Sequence, residues 1–169
     1  MKILIPERLE TKRTTLRSFV DFDWEHIHEY FSDPECMRYT IGRPLNESES
    51  WRAMASAVGH WVLKGYGPYA IECKESNRVC GIAGLWFPND WPEPEIKWGL
   101  VRSYWGRGYA TEAAREVRRM AQEWLPDLSL ISLIFSGNNA SARVAKTLGA
   151  TLEKQIIFRD QKADIYRHN

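Results

Sequence analysis

Residues 95–112 of the chain have the sequence EIKWGLVRSYWGRGYATE, and this stretch decides the fold. Its first part, Glu95 to Val101, predicts a strand, and a loop with Gly106 and Gly108 then leads into a helical pattern. Glycines in such a loop expose backbone N–H groups, and the start of a helix carries a partial positive charge. The stretch therefore predicts a binding place for a phosphate group at the start of a helix.

The helix after this loop has the clearest pattern in the sequence. From about Tyr109 to Trp124, apolar residues repeat at helical spacing as an unbroken stripe of Ala110, Ala113, Ala114, Val117, Met120, Ala121 and Trp124. Charged residues fill most of the other positions, and Pro126 ends the pattern. The spacing predicts a long amphipathic helix with one buried face.

The rest of the chain alternates between predicted strands and helices. Strands are expected at Leu9–Arg17, Tyr69–Cys73, Val79–Phe87, Glu95–Val101, Leu128–Phe135, Leu152–Phe158 and Ala163–Arg167. Besides the helix from Tyr109, helices are expected to begin at Asp21 or Asp23, at Asn46 or Ser48, and at Asn138 or Asn139. Residues 1–169 are therefore predicted to form one α/β (α+β) domain. It should have a mixed sheet of about six to seven strands and about four flanking helices.

Composition excludes several classes of partner. The formal net charge of +1 gives no reason to expect nucleic acid or an acidic membrane as a partner. No apolar run approaches the ~18 residues that span a bilayer, and the apolar start is too short for a signal peptide. A disulfide between Cys73 and Cys80 is conceivable, but free thiols in a reducing cytoplasm are the plainer interpretation. We therefore expect a cytoplasmic protein, as a monomer or homodimer.

The glycine loop has several possible uses. A P-loop is excluded, because no Gly-Lys-Ser/Thr follows the glycines. A dinucleotide-binding turn needs a third glycine, where this chain has Thr111, and it needs to follow a first strand near the start of the domain. A turn in which the glycines only let a strand meet a helix remains an alternative.

The residues around the loop resemble a known superfamily. Residues 106–113, GRGYATEA, look like motif A of the GNAT superfamily of acyl-CoA-dependent N-acyltransferases. Residues 138–144, NNASARV, with Leu148 and Gly149, resemble its motif B. Residues 9–17, LETKRTTLR, are similar to the start of the ribosomal-protein N-terminal acetyltransferase (Rim-type) branch. The resemblance covers nearly the whole chain and implies the GNAT fold and an acetyl-CoA-dependent N-acetyltransferase.

The resemblance also implies which residues bind acetyl-CoA. The backbone amides of motif A would bind the pyrophosphate, and the end of the preceding strand would pair with the pantetheine arm. The implied residues are Leu100, Val101, Gly106, Arg107, Gly108, Tyr109, Ala110, Thr111, Asn138, Ser141 and Arg143. The family's Arg or Gln at the start of motif A is Trp105 here, which removes a side-chain contact to phosphate but no backbone contact.

Transfer of an acetyl group to an amine needs a base, and Glu95 is the first candidate. It can act directly or through water, or it is a surface carboxylate at the mouth of the strand. Asp90 and Glu93, in the preceding loop, are further candidates. His28 lies on the apolar face of a helix, where a packing role competes with one in an acceptor pocket.

The leaving thiolate can take a proton from an acid, which in many GNAT enzymes is a tyrosine of motif B. That position is Ala145 here, and the Rim-type branch suggests Ser141 instead. Ser141 is equally a residue that caps the helix start. Because a thiol has a reference pKa of about 8.5, solvent could also supply the proton.

The acceptor side is predicted from aromatic residues near the loop between residues 88 and 94. Trp86, Phe87 and Trp98 are the predicted substrate-binding residues, with Trp91, Tyr39 and Tyr69 nearby, although core packing is an alternative for such residues. The acceptor is expected to be a small-molecule amine or a peptide N-terminus that attacks the thioester directly in a ternary complex. No Cys–His motif supports a covalent acyl-enzyme, and no metal site is predicted. The alternative function is a non-catalytic acyl-CoA-binding sensor.

Overall fold

A computed structural model describes residues 2–169 and has one eight-stranded sheet in the order β1-β2-β3-β4-β5-β6-β8-β7. The strands are β1 (Arg8–Glu10), β2 (Thr14–Arg17), β3 (Pro68–Cys73), β4 (Arg78–Trp86), β5 (Glu95–Leu100), β6 (Leu130–Phe135), β7 (Thr151–Phe158) and β8 (Gln161–His168). The helices are α1 (Asp23–Phe31), α2 (Pro34–Met37), α3 (Glu47–Lys64), α4 (Tyr109–Trp124) and α5 (Asn139–Thr147), with a 3₁₀ turn at Arg102–Tyr104.

The sheet is mixed, as predicted, but it has one more strand than the upper expectation. The segment predicted as a single strand, Leu9–Arg17, forms a hairpin of β1 and β2 in which Leu9 pairs with Leu16. The turn carries no glycine or proline. It is closed by Thr11, whose amide donates to the Thr14 carbonyl at 2.9 Å and whose Oγ1 accepts from the Thr14 amide at 2.9 Å. Because threonine also favours strands, the sequence pattern did not show this turn.

A short fifth helix also exceeds the expectation of about four. Asp33-Pro34 was predicted only to end α1, but Asp33 also caps α2 by accepting a hydrogen bond from the Glu35 amide at 2.8 Å. Pro34 then occupies the first turn of α2, where its missing N–H costs nothing.

The two faces of the sheet are covered by different helices. Side chains of Ile71, Leu85 and Ile96 point to one face, where they pack with the buried stripe of α4. The neighbouring positions Ala70 and Ile82 point to the other face, where α1 and α3 pack. The predicted stripe of α4 is buried from Ala113 to Ala121, whereas Trp124 is exposed.

The three cysteines are free and buried. Cys73 pairs with Arg78 across the β3–β4 hairpin, so Cys80 lies two residues beyond the position opposite Cys73. Among residues 2–169, no helix combines the length and apolar character that a membrane crossing requires.

Candidate active site

Strands β5 and β6 diverge in the middle of the sheet. They are parallel and share one paired position, Glu95 with Ile131, where the Ile131 amide donates to the Pro94 carbonyl at 3.0 Å. Beyond Glu95, β5 continues to pair with β4 and β6 continues to pair with β8. The divergence therefore opens a gap inside an otherwise continuous sheet.

Two side chains occupy the place of the next backbone hydrogen bond between β5 and β6. In a regular parallel ladder the Leu133 amide would donate to the Ile96 carbonyl. Here the Leu133 amide donates to Glu95 Oε2 at 3.0 Å, and the Ile96 carbonyl accepts from Ser132 Oγ at 2.7 Å. His168 Nε2 lies 2.9 Å from the same Ser132 oxygen. These side chains satisfy backbone groups that the divergence would otherwise leave buried without partners.

The imidazole of His168 is neutral when it holds Ser132 in place. Burial, together with the charges of Arg118 and Arg167, lowers the pKa of His168 to about 4. Since Ser132 Oγ donates to Ile96, the ring must donate its Nε2 proton to Ser132.

A cavity of about 670 Å³, called the loop cavity here, lies beside the glycine loop. Gly106 and Gly108 have positive φ angles of 70° and 81°, and Gly108 is the residue before α4. The Glu112 amide makes a backbone bond to the Gly108 carbonyl at 3.0 Å, so the preceding amides of the first turn are not used in the helix ladder. The loop therefore offers N–H groups at a positive helix end, next to open space where Gly106 lacks a side chain.

Most residues predicted for acetyl-CoA line the loop cavity: Leu100, Gly106, Gly108, Tyr109, Ala110, Thr111, Asn138, Ser141 and Arg143. Two predicted residues lie outside it. The Val101 amide is bonded to the Cys80 carbonyl at 2.9 Å, and the Arg107 side chain lies over the Tyr109 ring, 5.2 Å from its centroid. Trp105 lines the cavity and its indole N–H donates to the Leu100 carbonyl at 2.9 Å.

A second cavity, of about 330 Å³ and called the acceptor cavity here, lies on the other side of the divergence. It is lined by Glu95, Lys97, Trp86, Trp91, Trp98, Tyr39 and Phe158, among others. Phe87 was predicted to line it but lies outside, where Lys64 Nζ is 4.7 Å from its ring centroid. Tyr69 is also elsewhere, because it is buried in the core and donates to the Pro6 carbonyl.

The other candidate bases have structural partners. Glu93 forms an ion pair with Arg167 at 2.7 Å, and Asp90 forms one with Arg159 at 2.6 Å at the acceptor cavity. His28 Nδ1 lies 2.8 Å from Ser50 Oγ, between α1 and α3. None of these three resembles Glu95 in combining burial with a place beside the gap.

Burial raises the pKa of Glu95 to about 7, although the charge of Lys97 and the Leu133 amide both act to lower it. Glu95 is only 5% exposed to solvent, and it lines the acceptor cavity. A carboxyl group with this pKa accepts protons near neutral pH, which suits a general base.

The two cavities meet at residues that line both, among them Trp98, Asn138, Ser141 and Tyr39. Asn138 caps α5 by accepting from the Ser141 amide at 3.2 Å. The cap places Ser141, which is half-buried, in the first turn of α5 and at this junction. A ligand in one cavity can therefore touch a ligand in the other.

A model of the acetyltransferase (GNAT) domain matches residues 13–151 of the sequence. This chain belongs to the GNAT acetyltransferase family. It is 31% identical over 159 residues to the uncharacterized protein YkkB of Bacillus subtilis (strain 168), which covers 88% of each chain. The crystal structure of an acetyltransferase from Agrobacterium tumefaciens str. C58 is 30% identical, with a TM-score of 0.86 over 100% of this chain and 97% of that one.

The GNAT fold extends to a Rim-type enzyme. RimL, the ribosomal L7/L12 alpha-N-protein acetyltransferase, solved in complex with coenzyme A, has a TM-score of 0.76 and 17% identity, over 97% of this chain and 96% of that one. At this identity the likeness concerns the fold alone. The predicted family, fold and class of enzyme, an acyltransferase, are confirmed.

In this GNAT domain, Arg13 holds the glycine loop against α4. Its Nη1 donates to the Arg107 carbonyl at 2.8 Å, and its Nε donates to Glu112 Oε2 at 2.7 Å. Thr11 Oγ1 donates to the other carboxylate oxygen of Glu112. Burial raises the pKa of Glu112, but the hydrogen bonds from Thr11 and Arg13 outweigh it and hold that pKa below its usual range. The Arg107 carbonyl is thereby fixed away from the loop cavity.

The motif resemblance included Arg13 but did not reveal this contact, because the partners are 99 residues apart. Ser132 was also missed, although a polar residue within the apolar stretch LISLIF was a usable signal. Lys97 was missed as well, although it follows Glu95 by two residues and so shares its side of the strand.

We expect Arg13→Ala to raise the KM for acetyl-CoA about tenfold or more with a smaller change in kcat, because the loop loses charge-assisted hydrogen bonds. Steady-state kinetics measure both constants. Arg8→Ala is the matched control, since Arg8 pairs with Glu10 at the exposed edge of the sheet and should leave both unchanged. An unaltered KM in Arg13→Ala would contradict the positioning role.

Proposed function

We propose that this chain is an acetyl-CoA-dependent N-acetyltransferase that acetylates a primary amine by direct attack in a ternary complex. The observation that carries the proposal is the junction of two cavities at Trp98, Asn138 and Ser141. One cavity has the glycine loop, and the other has Glu95. This arrangement suits a thioester and an amine that are bound at the same time.

The loop cavity fits acetyl-CoA. When bound, acetyl-CoA supplies an activated acetyl group as a thioester. The amides from Gly106 to Ala110 donate toward its pyrophosphate, and the positive φ angles of the two glycines let the backbone approach without a Cβ atom. Arg143 adds a positive charge at the cavity wall. The coenzyme A bound by RimL supports this use of the shared fold.

Glu95 acts as the base in this proposal. It accepts a proton from the acceptor's ammonium group, directly or through a water molecule, and leaves a neutral amine as nucleophile. Its pKa of about 7 is set mainly by burial, so the carboxyl group gains and loses its proton near neutral pH. The hydrogen bond from the Leu133 amide keeps Oε2 of the carboxylate in place at the wall of the acceptor cavity.

Ser141 is the proposed acid for the leaving sulfur. It lies at the junction of the cavities. Within residues 2–169 its hydroxyl group makes no hydrogen bond, so it is available to a ligand. The helix start gives the site a positive potential, which also stabilises a developing thiolate. Because a free thiol has a pKa of about 8.5, this acid adds to the rate without being obligatory.

The acceptor is a small-molecule amine or a peptide N-terminus. The aromatic walls formed by Trp86, Trp91 and Trp98 suit the apolar part of either class and can attract an ammonium group. The acceptor cavity is open to solvent at its Asp90–Arg159 side, so a longer peptide can extend outward from it.

The proposal is tested by release of free thiol from acetyl-CoA with a panel of peptides and small amines. We expect turnover with at least one class, no turnover with peptides whose N-terminus is blocked, and intersecting lines in a two-substrate kinetic analysis. Parallel lines would instead indicate a covalent intermediate. Binding of acetyl-CoA without turnover across the panel, unchanged in Glu95→Gln, would favour a non-catalytic sensor.

For the base, we expect kcat/KM to rise with pH through a midpoint of about 7, because deprotonated Glu95 is the active form. Glu95→Gln keeps an oxygen for the Leu133 amide but cannot take up a proton. It should therefore lower kcat by about 10²–10⁴ and abolish the rise of kcat/KM with pH. Glu93→Gln is the matched control and should keep both the rate and this rise. A rise with pH that persists in Glu95→Gln would contradict the assignment.

For the acid, Ser141→Ala should lower kcat about tenfold and leave the dissociation constant of acetyl-CoA nearly unchanged. Calorimetry measures the binding and thiol release measures the turnover. A loss confined to binding would make Ser141 a contact to the cofactor. Ser136→Ala, on the loop before α5, is the control.

A further inference from the structure

Lys97 is a second charged group in the acceptor cavity. It follows Glu95 by two residues on β5, so both side chains point to the same side of the sheet, about 7 Å apart along the strand. The residue is half-buried and lines the cavity. Its Nζ lies 4.6 Å from the centroid of the Trp86 ring.

Trp86 is fixed from its other side. His60 stacks on the Trp86 ring with 4.9 Å between centroids. His60 itself is held at both nitrogens, because Nε2 accepts from the Phe87 amide at 2.9 Å and Nδ1 lies 2.7 Å from the Tyr66 carbonyl. The Trp86 ring beside Lys97 is therefore held in place by His60, and Trp86 and Lys97 both line the acceptor cavity.

The ammonium of Lys97 makes no direct ion pair among residues 2–169: no carboxylate oxygen lies within 4.0 Å of its Nζ, and Glu95 acts on it only over a longer distance. The cavity's other cation, Arg159, is paired with Asp90 at 2.6 Å. A half-buried charge without a partner costs free energy that one cation–π contact offsets only in part. Burial lowers the pKa of Lys97, and the neighbouring Glu95 acts in the opposite direction.

We propose that Lys97 is the binding site for an anionic group of the acceptor, so that the preferred substrate carries a carboxylate or a similar anion close to its reacting amine. This inference rests on the proposed function, because it assigns the substrate class of the same site. The amine would lie at Glu95 and the anion at Lys97, at the two-residue spacing of the strand. The aromatic walls then cover the apolar remainder of the molecule.

The phosphates of the cofactor do not account for Lys97. The loop cavity, to which they are assigned, is lined by its own cations, Arg38 and Arg143, and not by Lys97. A role limited to adjusting the charge of Glu95 is the other possibility. The groups around Lys97 in such a role are Glu95 on its own strand, His60 on α3, Asp90 in the loop after β4, and Arg159 in the β7–β8 turn.

The anion could belong to a free amino acid or to an acidic side chain at a peptide N-terminus. Both present a carboxylate near a primary amine, and matched acceptors separate them. Each free amino acid is compared with its carboxamide, and each peptide that begins with Asp or Glu is compared with the one that begins with Asn or Gln.

The experiment measures kcat/KM for these pairs in the wild type, Lys97→Met, Lys97→Arg and the control Lys64→Met. Lys64 is suitable because it also lies over an aromatic ring, Phe87, but outside the acceptor cavity. We expect the wild type to prefer the anionic member by about tenfold to a hundredfold in at least one type of pair. Lys97→Met should lose this preference, and Lys97→Arg and Lys64→Met should keep it.

The possible failures are distinguishable. No turnover with any amine would contradict the proposed function itself. Turnover that is equal for charged and neutral members in the wild type would overturn the role of Lys97 alone. A Lys97→Met variant that shifts the midpoint of the pH profile equally for both members, with the preference unchanged, would show that Lys97 acts only on Glu95. Thermal melting shows whether Lys97→Met is folded; if it is not, Lys97→Gln replaces it.

Discussion

The whole site depends on the point at which β5 and β6 separate. A sheet normally satisfies its backbone groups by continuing to pair, so a gap in its interior needs substitutes. Glu95 and Ser132 provide them by taking the hydrogen bonds of the next rung, and neutral His168 holds Ser132. The gap is therefore part of the folded structure, and both cavities open from it.

The same constraint connects the structural role of Glu95 to its proposed role as a base. The carboxyl group is buried because it replaces a rung of the sheet, and burial is the main cause of its raised pKa of about 7. A carboxylate on the surface would be fully ionised at neutral pH and a weak base. The alternative of a surface carboxylate at the mouth of the strand is wrong, because Glu95 is buried, and its structural role is compatible with the proposed role as base. The glycine loop is supported separately, because Arg13 and Glu112 connect it to the β1–β2 turn.

Local patterns could be predicted from the sequence, and distant contacts could not. The glycine loop and the α4 stripe from Ala113 to Ala121 depend on neighbouring residues, and the structure has both. The caps at Asn46 and Asn138 were each one of two predicted alternatives. The β1–β2 turn was missed because its closing residues are threonines. Phe87 lies outside the acceptor cavity, where its ring is beside Lys64 and its amide donates to His60, 27 residues earlier. The role of Ser132 could not be predicted, because its hydrogen-bond partner, the Ile96 carbonyl, lies on the neighbouring strand β5.

Strand β5 arranges three requirements of the site in one row. Alternation places Glu95, Lys97 and Gly99 on the same side of the sheet, and the regular pairing with β4 preserves this alternation. At the third position a side chain would collide with the Tyr30 hydroxyl, so glycine leaves the room that Tyr30 needs to line both cavities. The row therefore runs from a carboxyl group, through a cation, to a glycine that lines the loop cavity beside Tyr30. A substrate aligned along β5 would meet these groups in that order, which connects the choice of acceptor to the direction from which it reaches the thioester.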